Sequence, residues 1–447
     1  MNKPSTQTDA DIAIVGAGWA GLAAAATLSR HGHKVLLIEA AHTLGGRARR
    51  VETPMGDVDN GQHIFIGAYK ELLDLIQSLN VPESSLFIRT KLNLSINSLA
   101  DKPLHISASR LPCPLHLLSG LLMARGLGLS EKGSIIRCWL SMTLSGFSIA
   151  QDKPVSTFLA EHKQSPRLIR LFWAPLCIAA LNTPIEKASA QIYLNVLRKT
   201  FSGSRSNSDF LFARSSLGDV LPTPVCAYIR KQGGQVRNGE RLKTIHFDNE
   251  QLASIHTSKT SYVVKHLLLA TPYHQTHQLL SPFATFSAVC QALASLEHEA
   301  ITTLYMQFPD TIRLDQYLSG LSDGITQWYV DRRSCGQPGM IAAVISANGK
   351  HMAMDKAALT RAIVEETRQV FPTWPPPLST YLIREKRATF SCKPDMGHVR
   401  PKPGHIGRNV WLAGDYLDTD LPATLEGAIV SGVQCAHKIL ETAQQTQ

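Results

Sequence analysis

The chain carries little that would send it across or into a membrane. Its first ten residues, Met1 to Ala10, are polar and lack the apolar stretch that a secretory signal needs, so export is not expected. No run reaches the roughly 20 apolar residues that span a bilayer. The longest, Leu115 to Leu129, is interrupted by His116 and Arg125. The 8 cysteines (Cys113, Cys138, Cys177, Cys226, Cys290, Cys335, Cys392 and Cys435) include no pair close enough for a zinc knuckle or redox motif. No metal site is expected, and a reducing, cytoplasmic setting fits. Internal repeats and low-complexity segments are missing. So are any nucleic-acid module and any interleaving of basic with aromatic residues, so no nucleic-acid partner is expected.

What is present suffices for a large core. With 447 residues, 44% of them hydrophobic and 18% charged, the chain has material for two or three structural units. The net charge of +10 fits either a basic soluble surface or attraction to an anionic membrane face, where each basic residue gains about 1 kcal/mol.

The amino-terminal region reads as strand, turn and helix. Asp11-Ile12-Ala13-Ile14-Val15 is a short β-branched run of the kind buried on both faces of a parallel sheet. Gly16-Ala17-Gly18-Trp19-Ala20-Gly21 follows, and then an alanine-rich helical stretch from Leu22 to Leu28. This is a dinucleotide fingerprint in its proper context: Gly16 for the tight turn, Gly18 for approach of a pyrophosphate, Gly21 for helix–strand contact, with helix amides facing the phosphates. A second strand, Lys34 to Ile38, ends in Glu39, at the spacing where a carboxylate accepts both ribose hydroxyls and repels a 2′-phosphate.

Two further segments choose between NAD and FAD. Leu44-Gly45-Gly46-Arg47 follows the second strand, where NAD dehydrogenases have only a connecting helix. Asn409 to Asp415 reads as a buried strand ending in Gly414-Asp415, and Pro422 to Gly427 opens a helix running to about Leu440, with Thr424 as its N-cap. These segments resemble the amine oxidase and carotenoid (phytoene) desaturase superfamily of flavoproteins. The resemblance implies FAD as cofactor, with Gly45, Gly46 and Arg47 along the pyrophosphate and Asp415 at the ribityl or pyrophosphate region. The amides after Thr424 and Leu425 would face the flavin N1–O2 edge and stabilise its reduced, anionic form. Glu426 reads either as a capping-region carboxylate or as one facing the flavin.

The β-rich stretch from Gly234 through Tyr262-Val263-Val264 to Thr271-Pro272 resembles that superfamily's return to the FAD domain, with a strand near Leu242 packing on the adenine. The expected fold is α/β: a Rossmann-like FAD-binding domain (1–83, 215–280 and 386–447) interleaved with a mixed α+β substrate-binding domain (84–214 and 281–385). Ser202 to Ser208 reads as a flexible loop.

Asp59-Asn60-Gly61-Gln62-His63-Ile64-Phe65-Ile66-Gly67-Ala68-Tyr69 is close to a signature of polyprene-active flavoproteins. Together with Phe172 to Cys177, Ala180 to Pro184 and Asp418 to Ala428, it resembles the hydroxysqualene dehydroxylases, flavoproteins of bacterial hopanoid synthesis. The likeness runs from about residue 11 to 440. It implies reductive removal of an allylic hydroxyl from a C30 polyprenyl alcohol, giving squalene, with electrons reaching FAD from NAD(P)H or a separate reductase. A polyprene desaturase, passing hydride from substrate to oxidised FAD, is the main alternative. An amine oxidase and a flavin-free lipid carrier of the same fold are weaker ones. The resemblance also puts Gly61, Gln62 and His63 beside the flavin.

His63 is the first candidate for the acid that protonates the leaving oxygen; the other reading is a loop fixed by hydrogen bonding to backbone. Tyr329, Asp59 and Asp418 are alternatives for the acid. Trp173 and Pro175 read as tunnel wall or as plain core. Leu115 to Leu129 reads as a buried helix or as a dip into lipid with Arg125 snorkelling, which would make the protein a peripheral one at the inner membrane face.

Overall fold

The computed structural model describes residues 10–445. The expectation drawn on Met1 to Ala10 therefore lies, apart from Ala10, outside the described residues.

The fold is α/β and is built on two sheets. The first begins with β1 (Ala10–Val15), α1 (Trp19–Arg30) and β2 (Val35–Ile38). Its parallel core runs Gln235–Arg237, β2, β1, Ser261–Leu269 and Val410–Leu412. Register decides where this sheet can bind anything. Val15 lies opposite both Ile38 and Leu269, and Leu269 lies opposite Leu412, so these strands finish at one level. The residues that come next, Gly16, Glu39, Ala270 and Ala413, share the crevice at the carboxyl ends, the place where open parallel sheets take ligands.

The α1 alanines Ala23, Ala24, Ala25 and Ala26 are buried, and their small side chains let the carboxyl-terminal helix Leu425–Gln445 cross closely. A methyl group on Gly432 would stand 2.1 Å from the Ala20 carbonyl. The expected β-rich stretch forms strands Leu242–Asp248 and Gln251–Thr257, which extend the sheet antiparallel from Ser261–Leu269.

The second sheet has seven strands in the order Ser379–Phe390, His298–Gln307, Met340–Ser346, Trp328–Asp331, Leu318–Leu321, Asn93–Asn97 and Leu104–Ser107. Pairing is antiparallel except between Leu318–Leu321 and Asn93–Asn97. Strand alternation sorts its side chains. Ile341, Ala343 and Ile345 pack with Leu359 and Ile363 of helix Lys356–Val370, whereas Ala342, Val344, Trp328 and Val330 face the other way. Strand Ser379–Phe390 runs unbroken through the expected boundary at 385/386.

Two local expectations change. Leu115 to Leu129 is not one helix. Helix Leu115–Leu122 ends because Arg125 leaves it to exchange backbone bonds with His105, at 3.1 and 3.0 Å, and a new helix starts at Leu129–Leu144. Ser202 to Ser208 is a tied turn rather than a free loop. Arg205–Ser208 is a 3₁₀ turn in which Asn207 Nδ2 donates to the carbonyls of Lys199 and Ser202, and the Ser208 hydroxyl meets buried His116.

Candidate active site

The crevice at the strand ends takes its shape from the glycine turn. Gly16 sits at φ +106°, donates to the Ile38 carbonyl at 2.8 Å, and would bring a methyl group to 2.6 Å from the Ala270 oxygen. A methyl on Gly21 would fall 1.9 Å from the Gly16 oxygen, so helix and turn touch there. At Gly18 such a methyl meets nothing within 4 Å, which leaves the turn open to a ligand. Trp19 and Ala20 start α1, whose N-cap supplies no side-chain acceptor, and its amides therefore point free into the crevice. The Trp19 ring stacks on Phe65 at 5.7 Å and ties this turn to the second motif. Glu39 accepts from the Ala17 amide at 2.8 Å and the Ala41 amide at 2.9 Å, which fixes its carboxylate at the end of β2. Leu242 stands beside it in the same wall, because the Gly239 and Glu240 amides bond back to the carbonyls of Ala41 and Glu39.

Gly45 donates to the Ala17 carbonyl at 2.9 Å, which lays Gly45 and Gly46 against the glycine turn. Arg47 reaches across to Asp415 at 2.5 Å and to the Ala388 carbonyl at 2.6 Å. Burial alone would lower the guanidinium's pKa, but the Asp415 carboxylate, joined by Glu385 and Tyr273, outweighs it, and the group is held above its ordinary value. Gly414 is pinned by Ser431, whose hydroxyl accepts its amide at 2.9 Å. Thr424 is the N-cap foreseen: its hydroxyl accepts from the Gly427 amide at 3.0 Å, and the helix begins at Leu425. Glu426 caps a different helix. Its two oxygens accept from the amides of Glu71 and Leu72 at 2.9 and 3.2 Å, at the start of Lys70–Ser78. Burial pushes its carboxyl up to about 7, despite those two amides.

The segment Asp59 to His63 runs along the opposite wall and is held from the second sheet. Asn60 donates to Glu385 at 3.1 Å and to the Arg47 carbonyl at 3.2 Å. Asp59 and Gln62 are bridged by Arg332, at 3.0 and 2.7 Å. Neither Glu385 nor Arg332 was visible as a site residue in the sequence. The available signal for Arg332 was the charged run Asp331-Arg332-Arg333 directly after the apolar Trp328-Tyr329-Val330.

His63 projects into the wall, and its ring is hydrogen bonded to no described residue, so the loop-fixing reading finds no bond to carry it. Burial lowers its pKa to about 4, with Arg47 adding to the effect and Asp59 opposing it; near neutrality the imidazole is uncharged. The alternatives lie elsewhere. Asp59 is paired with Arg332 inside the protein. Tyr329 is fully buried on the far face of the sheet, against Glu366 and Thr367, and Asp418 is paired with Arg400 at 3.1 Å outside the cavity.

One continuous cavity of about 1280 Å³ joins these elements, more than the roughly 300–1000 Å³ of an ordinary small-molecule site. Every cofactor candidate named from the sequence lines it except Gly21, whose place is in the helix–turn contact. Beyond His63 the walls become apolar. They comprise Leu94, Ile106, Ile301, Trp328, Val330 and Val344 on the sheet side, and Phe172, Trp173 and Leu176 on the helical side. Trp173 is thus tunnel wall, with its indole donating to Gln164 at 2.9 Å, whereas Pro175 is buried outside the lining. The lining extends to helices Leu115–Leu122 and Leu129–Leu144 through Leu117, Leu121, Ile136 and Trp139. The free amides, the open space at Gly18, the fixed Glu39 carboxylate and the Arg47–Asp415 pair match the adenosine, pyrophosphate and ribityl chemistry of FAD.

Known proteins give the same picture. The profile of the flavin containing amine oxidoreductase family matches residues 19–440. Hydroxysqualene dehydroxylase of Rhodopseudomonas palustris is 27% identical over 446 residues, covering 96% of this chain and 97% of that protein. A 15-cis-phytoene desaturase of an Oncidium hybrid cultivar is 23% identical over 462 residues, covering 96% of this chain and 78% of that protein. The solved structure of cyclohexylamine oxidase from Brevibacterium oxydans shares the fold, with a TM-score of 0.71 over 98% of this chain and 100% of that one at 18% identity. With the family profile running nearly end to end over a chain that carries the matching cradle, the protein belongs to the flavin-containing amine oxidoreductase family and is an FAD-dependent oxidoreductase.

Proposed function

We propose that the chain reduces hydroxysqualene, a C30 allylic alcohol, to squalene. The observation that carries this reading is the single cavity, polar and glycine-lined at the flavin end and apolar from Phe172 and Trp173 to the outer helices. Similarity to hydroxysqualene dehydroxylase over nearly the whole of both chains supports it. The residues proposed to surround the cofactor are Gly16, Gly18, Trp19, Ala20, Glu39, Gly45, Gly46, Arg47, Gly61, Gln62, His63, Leu242, Gly414, Asp415, Thr424 and Leu425, with Gly21 supporting the glycine turn from the helix side.

Held by the cradle in its reduced form, FAD would supply hydride chemistry. Protonation of the allylic hydroxyl and loss of water would leave a carbon cation, and the overall change balances as one alcohol, one proton and one hydride giving squalene and water. The chain must hold the substrate, keep water from the cation, and deliver the proton. Burial of the hydrocarbon at about 0.8 kcal/mol per CH₂ does the holding. Glu426, with its carboxyl raised to about 7, is a cavity-wall acid that still holds its proton in a large fraction of molecules near neutrality, while neutral His63 is suited to orienting the hydroxyl. Electrons return from NAD(P)H or a reductase.

The outer rim supports peripheral contact with a membrane. Among the described residues no helix is long and apolar enough to cross one. Among the described residues, eight of the twelve exposed large apolar side chains nevertheless fall between Leu111 and Leu144, on and beside the two helices that line this part of the cavity. Arg110, Arg125, Lys132 and Arg137 flank them, which suits an anionic lipid surface.

The desaturase reading rests on the phytoene desaturase likeness and sends hydride the other way. One experiment separates the two. The transferable hydrogen of reduced flavin exchanges with solvent, so squalene formed in D₂O by the reduced enzyme should carry deuterium at the carbon that bore the hydroxyl. Mass spectrometry with fragment ions locates the label. Squalene without deuterium there defeats the hydride step, and no squalene at all defeats the assignment.

A further inference from the structure

Arg332 has no role in the chemistry above, yet it is a charged side chain only 1% exposed. It follows directly on Trp328–Asp331, the strand that presents Trp328 and Val330 to the apolar arm of the cavity. One of its nitrogens bridges Asp59 at 3.0 Å and Gln62 at 2.7 Å, and its Nε donates to Gln337 at 2.5 Å. Its guanidinium lies 5.5 Å over the Tyr305 ring, and the Tyr305 hydroxyl donates to the Asp59 carbonyl at 2.8 Å. The free Asp59 oxygen accepts from the Leu217 amide at 2.9 Å.

Stability does not account for this arrangement, because a buried ion pair is often no more stabilising than well-packed apolar side chains of the same volume. What it supplies is fixed geometry. A planar guanidinium holds its partners at set angles, which a flexible ammonium does less well. The bridge stops one residue short of His63, so the backbone that carries Gln62 and His63 inherits its position from Arg332.

We infer that Arg332 is a positioning residue: it sets Gln62 and His63 against the flavin and couples that wall to the strand whose Trp328 and Val330 face the substrate arm. The inference rests on FAD lying in the cradle described and not on the identity of the substrate.

Two variants of the full holoenzyme test it. Asp59→Asn with Arg332→Met removes both charges at nearly constant volume, so no bare carboxylate is left buried. Arg332→Lys keeps the cation and loses the fork. The readouts are visible circular dichroism of the bound FAD, which reports the surroundings of the ring, and kcat and KM taken separately. The double variant should hold FAD with an altered visible spectrum, and its kcat should fall about 10- to 100-fold at little-changed KM, as expected of misplaced but present groups. Arg332→Lys should lie between it and the wild type on both readouts. A double variant with wild-type visible spectrum and kcat overturns the inference. So does a lysine variant no nearer to wild type than the double one. Because the visible spectrum is recorded without substrate, failure of the hydroxysqualene assignment would leave this result standing.

Discussion

The two ends of the cavity are made by different means. At the flavin end the chain offers backbone: open glycine turns, free helix amides and a few carboxylates fixed by neighbouring amides, as Glu39 is by Ala17 and Ala41. At the other end it offers mostly apolar side-chain bulk, contributed by strands and helices far apart in sequence, such as Ile106, Phe172 and Val344. A dinucleotide must be met by directional bonds at fixed spacings, so its cradle is written in short motifs. A hydrocarbon asks only for apolar area, so many sequences can build its tunnel.

If this contrast is right, single changes at the flavin end should be severe and specific. Glu39→Arg removes the acceptor for the ribose hydroxyls and unties the turn it holds. With each charge-assisted hydrogen bond worth about 1.5–3 kcal/mol, FAD affinity should fall about 100-fold or more. Fluorescence titration of the apoprotein with FAD measures it, and wild-type affinity would break the comparison at its strongest point.

Glu426 lines the cavity while capping Lys70–Ser78, and its effect should be intermediate and depend on pH. Its folded pKa, about 7, is raised above the ordinary value of 4.5. Its contribution to stability is therefore fully present below about 4.5 and is lost as pH rises through about 7. Glu426→Gln removes that dependence. Between pH 5 and pH 8 the urea-unfolding stability of the variant should gain about 2–3 kcal/mol relative to wild type. His63 acts with the opposite sign. Its pKa, lowered to about 4, makes a contribution present above about 6.5 and lost as pH falls through 4, so His63→Gln should flatten the acid side instead.

The smallest effect on folding belongs to the outer rim. Leu122 is 54% exposed and Leu144 is 88% exposed, and neither lines the cavity. Leu122→Asp with Leu144→Asp should change stability by no more than about 0.5 kcal/mol and leave the flavin spectrum as it is. Sedimentation with anionic liposomes should nevertheless drop clearly. Unchanged sedimentation would return these leucines to the ordinary exposed surface.

How much was legible follows the same division. The strand–glycine–helix unit, Glu39, Arg47, Asp415 and the Thr424 cap stand in the sequence because each is a local rule: a turn that needs glycine, a helix that needs a cap, a strand whose last residue faces a crevice. Leu115 to Leu129 could not be read correctly, since its break comes from Arg125 pairing with His105, a strand neighbour that the apolar pattern does not reveal. Ser202 to Ser208 misled for a similar reason, because Asn207 bonds back to the carbonyls of Lys199 and Ser202 and Ser208 meets His116, partners that the polar pattern does not reveal.

The sequence by itself determined the class of cofactor and the local turns and caps that line the crevice, since backbone geometry within a few residues is enough to specify them. The tertiary structure alone decided the electrostatics. Arg332 reaches Asp59 from 273 positions away, Arg47 reaches Asp415 across 368, and Glu426 caps a helix that begins some 350 residues earlier. Whether a histidine carries a proton, or an acid keeps one, depends on burial and on charges brought near by folding, and neither is a property of the residues next to it in the chain.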